Sequence, residues 1–283
     1  MGWRLNVTLV LGALTSAIVS CRTPTANLEL AFPQGVRVEY RTNGWNEATS
    51  DQMTYADGPF RVETSGRLFL EGVEVDDHGV ATIHETSGET TLRYPGQPAR
   101  VLPPTTRTIE VGPDARIHAV EVHEGSVSDL LIFPPLPSHG VKPRDSWTFD
   151  YEIPLEKARG SVRMQGQSTL ARLEEKDGMA LAVIESDLML STDAGLNILQ
   201  EMSADQSAAM LAQGWDPAAN VHITVAMNGT STATIDIASR RIASLSAMLA
   251  GKSSAHYTDF PPGYPTDTEV ATKTYDDIQL VSS

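Results

Sequence analysis

The chain is poor in cysteine, in cations and in long apolar runs, and each shortage removes a class of protein. One cysteine, Cys21, among 283 residues allows no internal disulfide and no thiolate zinc centre. Lys and Arg number 21 against 36 Asp and Glu, a formal charge of −15. That is the opposite of the basic footprint a phosphate backbone requires, so no nucleic-acid partner is expected. With 41% hydrophobic and 20% charged residues, the composition excludes a wholly disordered chain, a collagen-like repeat and a multi-span membrane protein.

Catalytic motifs are also missing. There is no Gly-x-Ser-x-Gly elbow, and Ser126 and Ser146 beside His123 and Asp145 form no recognisable triad spacing. His84-Glu85 and His123-Glu124 lack the second His of a zinc-hydrolase helix. His118, Glu121 and His123 are close in sequence, but strand alternation sends 118 and 123 to opposite faces. No carboxylate pair stands out for glycoside chemistry. The expectation is a non-enzymatic protein with no cofactor and no metal.

What is present begins at the N-terminus. Arg4 precedes an uncharged apolar stretch from about Val7 to Val19, too short for a helix of roughly 20 residues to span hydrocarbon and laid out as an export signal. Ile18-Val19-Ser20-Cys21 resembles the lipobox of bacterial lipoproteins. The resemblance implies that the Cys21 thiol carries a diacylglyceryl thioether, that residues 1–20 are cleaved, and that the new amino terminus is acylated, for instance with palmitate. Only a thiolate is nucleophilic enough near neutral pH for that attachment, and two or three acyl chains make it lasting where one does not. Removing the first 20 of 283 residues leaves 263, and losing Arg4 takes the charge from −15 to −16. Arg22 stands where Asp resembles an inner-membrane retention signal in enteric bacteria, which implies the outer membrane rather than the inner.

From Leu28 onward, period-two segments rich in Val, Ile and Thr are broken by Gly, Pro, Asn and Asp, the pattern of antiparallel strands. Gly66–Val75 and Val80–His84 flank Asp76-Asp77-His78-Gly79 as a hairpin, and Gly112-Pro113-Asp114 and Lys176-Asp177-Gly178 are further turns. Segments recur in order. Val38-Glu39-Tyr40 matches Phe149-Asp150-Tyr151, Gly66–Glu85 matches Gly166–Glu185, and Thr108–Val120 matches Thr234–Leu245. This fits an internal duplication, and equally two meanders of ordinary strand grammar. The expected layout is residues 21–30 as a lipidated start and linker, a first β half over 31–132, a Pro-rich connection over 133–145 and a second β half over 146–283.

One helix is expected, over about 194–213. Thr192 and Asp193 would cap it, Leu196, Leu199, Met202, Ala209 and Met210 recur at helical spacing, and Gly214 closes it. The expected fold is therefore mainly β (α+β), a long curved antiparallel sheet or half-barrel from two similar halves with one helical insertion. Arg144-Asp145-Ser146-Trp147 after a Pro-rich turn resembles a strand entry in uncharacterised envelope lipoproteins. The meander with its helix also resembles the lipoprotein-carrier group, whose half-barrel covers an apolar cavity. The functional expectation is capture of an apolar small molecule, lipid or envelope component in a sheet concavity, with Leu199 and Met202 as candidate lining. The alternative is a structural or assembly protein that docks other envelope proteins. Met189, Met202, Met210, Met227 and Met248 serve core packing or a ligand wall equally. Arg240-Arg241 fits a lipid headgroup or a solvated turn.

Overall fold

A computed structural model describes residues 25–49, 60–120, 135–155, 159–197, 199, 204–263 and 266–282. Cys21 and the export signal lie outside the described residues. The strands are β1 (Arg37–Thr49), β2 (Phe60–Val75), β3 (Ala81–Ser87), β4 (Thr90–Arg93), β5 (Arg100–Leu102), β6 (Thr105–Val111) and β7 (Ile117–Val120), then β8 (Ser146–Pro154), β9 (Arg159–Lys176), β10 (Met179–Asn197), β11 (Asn220–Asp236), β12 (Arg241–Thr258) and β13 (Asp267–Ser282), with one helix, α1 (Ala204–Ala212).

All thirteen strands belong to one sheet, in which eleven follow the order β7-β6-β3-β2-β1-β13-β12-β11-β10-β9-β8 while β4 and β5 hang beside β2. Every ladder along this path is antiparallel. The two ends, β7 and β8, come together, so the sheet curls into a nearly closed barrel. The gap has a parity reason. Strands that alternate in direction around an odd ring must leave one parallel junction, and here that junction is β7 against β8, which share no ladder among the described residues. Other contacts bind the seam: the Leu136 N–H donates to the Asp114 carbonyl at 3.0 Å, and the Arg116 guanidinium lies 5.9 Å from the centre of the Tyr151 ring.

Matching segments of the two halves take equivalent places in successive meanders: Val38–Tyr40 on β1 and Phe149–Tyr151 on β8, Thr108–Val111 on β6 and Thr234–Asp236 on β11. Glu85 and Glu185 part company. Leu70 pairs with Glu85 but Leu170 pairs with Ile184, one residue earlier in the match, which leaves Glu85 buried and Glu185 exposed.

One end of the barrel is closed. Tight turns meet there: Asp76 Oδ1 accepts the N–H groups of His78 and Val80 at 2.8 Å each, Asp177 and Gly178 both adopt positive φ (52° and 78°), and Arg240 does so at 56°. Residues 26–30, expected as linker, instead pass beneath this end, with Ala26, Leu28 and Leu30 buried in the core. Leu30 N–H donates to the Pro113 carbonyl at 2.9 Å, Ala31 N–H to the Arg240 carbonyl at 3.0 Å, and Ala26 and Val141 exchange both backbone bonds. The segment therefore ties turns of both halves into a base. A side chain at Gly72 would strike the backbone of Phe32 and Pro33, which is why glycine stands where the plug enters. The Pro-rich connection belongs to the same base: residues 135–137 are buried, and Trp147 Nε1 donates to the Pro135 carbonyl at 3.1 Å.

The helix is shorter than its periodicity implied. Residues 194–197 continue β10, in register with β11 throughout and with β9 as far as Gly195, because Leu188, Leu190, Thr192 and Ala194 alternate inward and are buried. The ladder hydrogen bonds outweigh an isolated helical turn. Gly214 does close α1, with φ +90°, and the Trp215 N–H reaches back to the Met210 carbonyl at 3.2 Å.

Candidate functional site

The barrel wall changes character from base to mouth. Near the base and the middle, inward side chains such as Leu70, Ile83, Ile109, Val111, Ile184 and Ile235 are at most 1% exposed. They fill the interior as packed core. Toward the other end, where β10 passes to α1 and β12 turns back to β13, the inward residues Ile223, Val225, Met227, Ala255 and Val270 are only partly buried. Val225 and Met227 still pack on the core. The result is a cup with a solid floor and a half-open apolar wall.

The adjoining wall of the mouth is hydroxylic. Thr42, Thr64, Thr272 and Thr274 share the inner face of β1, β2 and β13 with Asp276, and the Thr274 hydroxyl donates to Asp276 Oδ2 at 3.4 Å. Asp276 occupies the space that a side chain at Gly44 would need. Deeper, on β3 and β6, Arg107 meets Glu85 at 2.6 Å, with side chains 11% and 6% exposed; on β9 and β10, Ser168 and Ser186 pair their buried hydroxyls at 2.7 Å. Burial pushes the Tyr40 and Tyr151 phenols above their ordinary value. Aromatic rings stand at the rim: Phe260 contacts Trp215 with ring centres 4.8 Å apart and Tyr257 at 5.0 Å.

The residues singled out from sequence scatter. Leu199 is 8% exposed and sits next to α1, where the Ser207 hydroxyl donates to its carbonyl at 2.6 Å. Met202 lies outside the described residues, as do Glu121, His123 and Ser126. The methionines do not form one wall: Met189 and Met248 are 53% and 41% exposed, while Met227 faces inward. Arg240 is a turn residue paired with Glu29 at 3.1 Å. Glu85, Arg107, Val225 and Val270 went unrecognised, since only curvature turns one strand face into an interior. Period-two alternation along β11, Val221, Ile223, Val225 and Met227 against His222, Thr224, Ala226 and Asn228, was the available signal.

Among the described residues no three His, Cys, Asp or Glu converge as a metal site, and no helix is long and apolar enough to cross a membrane. The outer wall carries a shallow polar hollow of about 370 Å³, bordered by Gln167, Thr169, Glu185, Asp187, Thr230 and Thr232.

No family model matches the chain, and no curated protein matches it. Among solved structures it is similar to DynF from the dynemicin biosynthesis pathway of Micromonospora chersina, at 10% identity over 92% of this chain and 86% of that one, with a TM-score of 0.24.

Proposed function

We propose that this protein is a lipid-anchored lipoprotein of the bacterial envelope that holds an apolar ligand in the mouth of its barrel, without catalysis. The observation that carries the binding role is the gradient along the inner wall, from fully buried side chains at the base to partly exposed Ile223, Val225, Met227 and Val270 at the mouth. A folded chain hides apolar surface unless something else covers it. The lipobox Ile18–Cys21 supports the anchor.

Chain geometry adds an orientation. Five peptide units separate Cys21 from Ala26, a reach of at most about 17 Å, and Ala26 is fixed at the base. A lipid on Cys21 holds the base toward the bilayer and turns the mouth away from it, so the ligand arrives from the aqueous side.

Native mass spectrometry of residues 22–283, exported to a periplasm and purified under mild conditions, tests the binding role. A reproducible extra mass that organic extraction removes, and that is lost in Val225→Asp/Met227→Asp, is expected. A clean apo mass overturns it and favours the docking role.

A further inference from the structure

The outer wall beside the mouth carries four chemistry-bearing residues that belong to no part of the ligand site. His222 on β11 and His256 on β12 are direct cross-strand partners, which puts their Cβ atoms about 4.5–5.5 Å apart on one face. Each has its own carboxylate. His222 Nε2 lies 3.1 Å from Asp193 Oδ1 on β10, and His256 Nδ1 lies 2.7 Å from Asp267 Oδ1 on β13. The two acids flank the two imidazoles from opposite sides, across four adjacent strands.

We propose that His222 and His256 chelate a divalent transition cation such as Zn²⁺ or Cu²⁺. Histidines that ligate metals nearly always give their second ring N–H to a carboxylate, which fixes tautomer and ring orientation and raises ligand basicity. Here His256 shares a hydrogen bond with the Asp267 carboxylate, and His222 has the Asp193 carboxylate at ion-pair distance. With Nε2–H directed to Asp193, His222 offers its Nδ1 lone pair; with Nδ1–H directed to Asp267, His256 offers Nε2. Space is available, since a side chain at Gly195, across from His222 on β10, would meet nothing within 4 Å. The chain supplies two ligands and the acids act behind them, which agrees with the absence of any convergent group of three or more among the described residues. The remaining coordination positions belong to water or to an incoming donor.

The two sequence positions are 34 apart, and only the β11–β12 register joins them.

Isothermal titration of Zn²⁺ into untagged residues 22–283 at neutral pH is the test, with Cu²⁺ electron paramagnetic resonance as the ligand readout. One equivalent of Zn²⁺ and a two-nitrogen Cu²⁺ signature are expected. His222→Gln and His256→Gln should each abolish both, His84→Gln should change neither, and Asp193→Asn/Asp267→Asn should weaken Zn²⁺ at least about tenfold. All these side chains are more than half exposed or lie on the outer face, so circular dichroism of the variants should match the parent. Absence of Zn²⁺ binding in the parent, or unchanged binding in His222→Gln/His256→Gln, overturns the proposal.

Discussion

The base and the mouth of this barrel are built from the same strands and obey different rules. At the base, turns are two to five residues long, a plug from the N-terminal segment fills the end, and inward side chains are 0–6% exposed, as with Ile83, Val111, Leu28 and Ala26. At the mouth, the β1–β2, β10–β11 and β12–β13 connections are longer, α1 rides on the second of them, and the same inward-facing rows become half-open. Packing is densest where closure is complete, and apolar side chains stay partly exposed at the end where it is not.

The largest expected effect is at the plug. Leu28→Asp puts an unpaired charge under the floor of the barrel, where Leu28 is 3% exposed. Loss of cooperative thermal unfolding, or recovery only as insoluble protein, is the expected outcome. A variant that melts like the parent would show the plug to be dispensable and erase the distinction between the two ends.

Next comes the interior pair. Glu85→Ala removes the carboxylate 2.6 Å from the Arg107 guanidinium, in a pair whose side chains are 6% and 11% exposed, and should cost about 3–5 kcal/mol in denaturant unfolding. Leu70→Ala, at a site 1% exposed, should cost about 2–5 kcal/mol. Val225→Ala at the mouth should cost about 1 kcal/mol while reducing retention of the apolar ligand. Equal losses at Leu70 and Val225 would mean that the mouth is core as well.

The smallest effect is expected on the outer surface. Arg163 and Gln165 hold the Asp150 carboxyl down to about 2 from its ordinary 3.8. A lowered folded-state value gives stability that is present above 3.8 and lost as pH falls toward 2. The drop in melting temperature over that interval should therefore be slightly smaller in Asp150→Asn than in the parent. Solvent screening keeps the difference small, because the pair is exposed.

Much of the fold was legible in the strand grammar. Alternation in Val36–Tyr40 and Val221–Met227, and the turn chemistry of Asp76–Gly79 and Lys176–Gly178, are local properties that the final structure keeps. The helix over 194–213 was misplaced because Leu196, Leu199 and Met202 satisfy helical spacing, while Leu188 to Ala194 satisfy strand spacing. Local periodicity cannot choose between them, and the ladders of β9 and β11 do. The candidate site was less legible. Leu199 was found as an apolar residue near the mouth, but the wall itself is made of alternate residues on three strands, and sequence does not say which face a sheet curls around.

By itself the sequence determined the class and most boundaries of the strands and the net acidity of the chain, and it carries the lipobox-like run Ile18–Cys21, because each depends on composition or on neighbours a few residues apart. Tertiary structure decided the rest. It set the odd ring that cannot close in antiparallel fashion, the N-terminal segment that became a floor, the burial of Glu85 against the exposure of Glu185, and the meeting of His222 with His256. Each of these depends on register and curvature, which are fixed only when distant strands pair and one face of the sheet is committed to the interior.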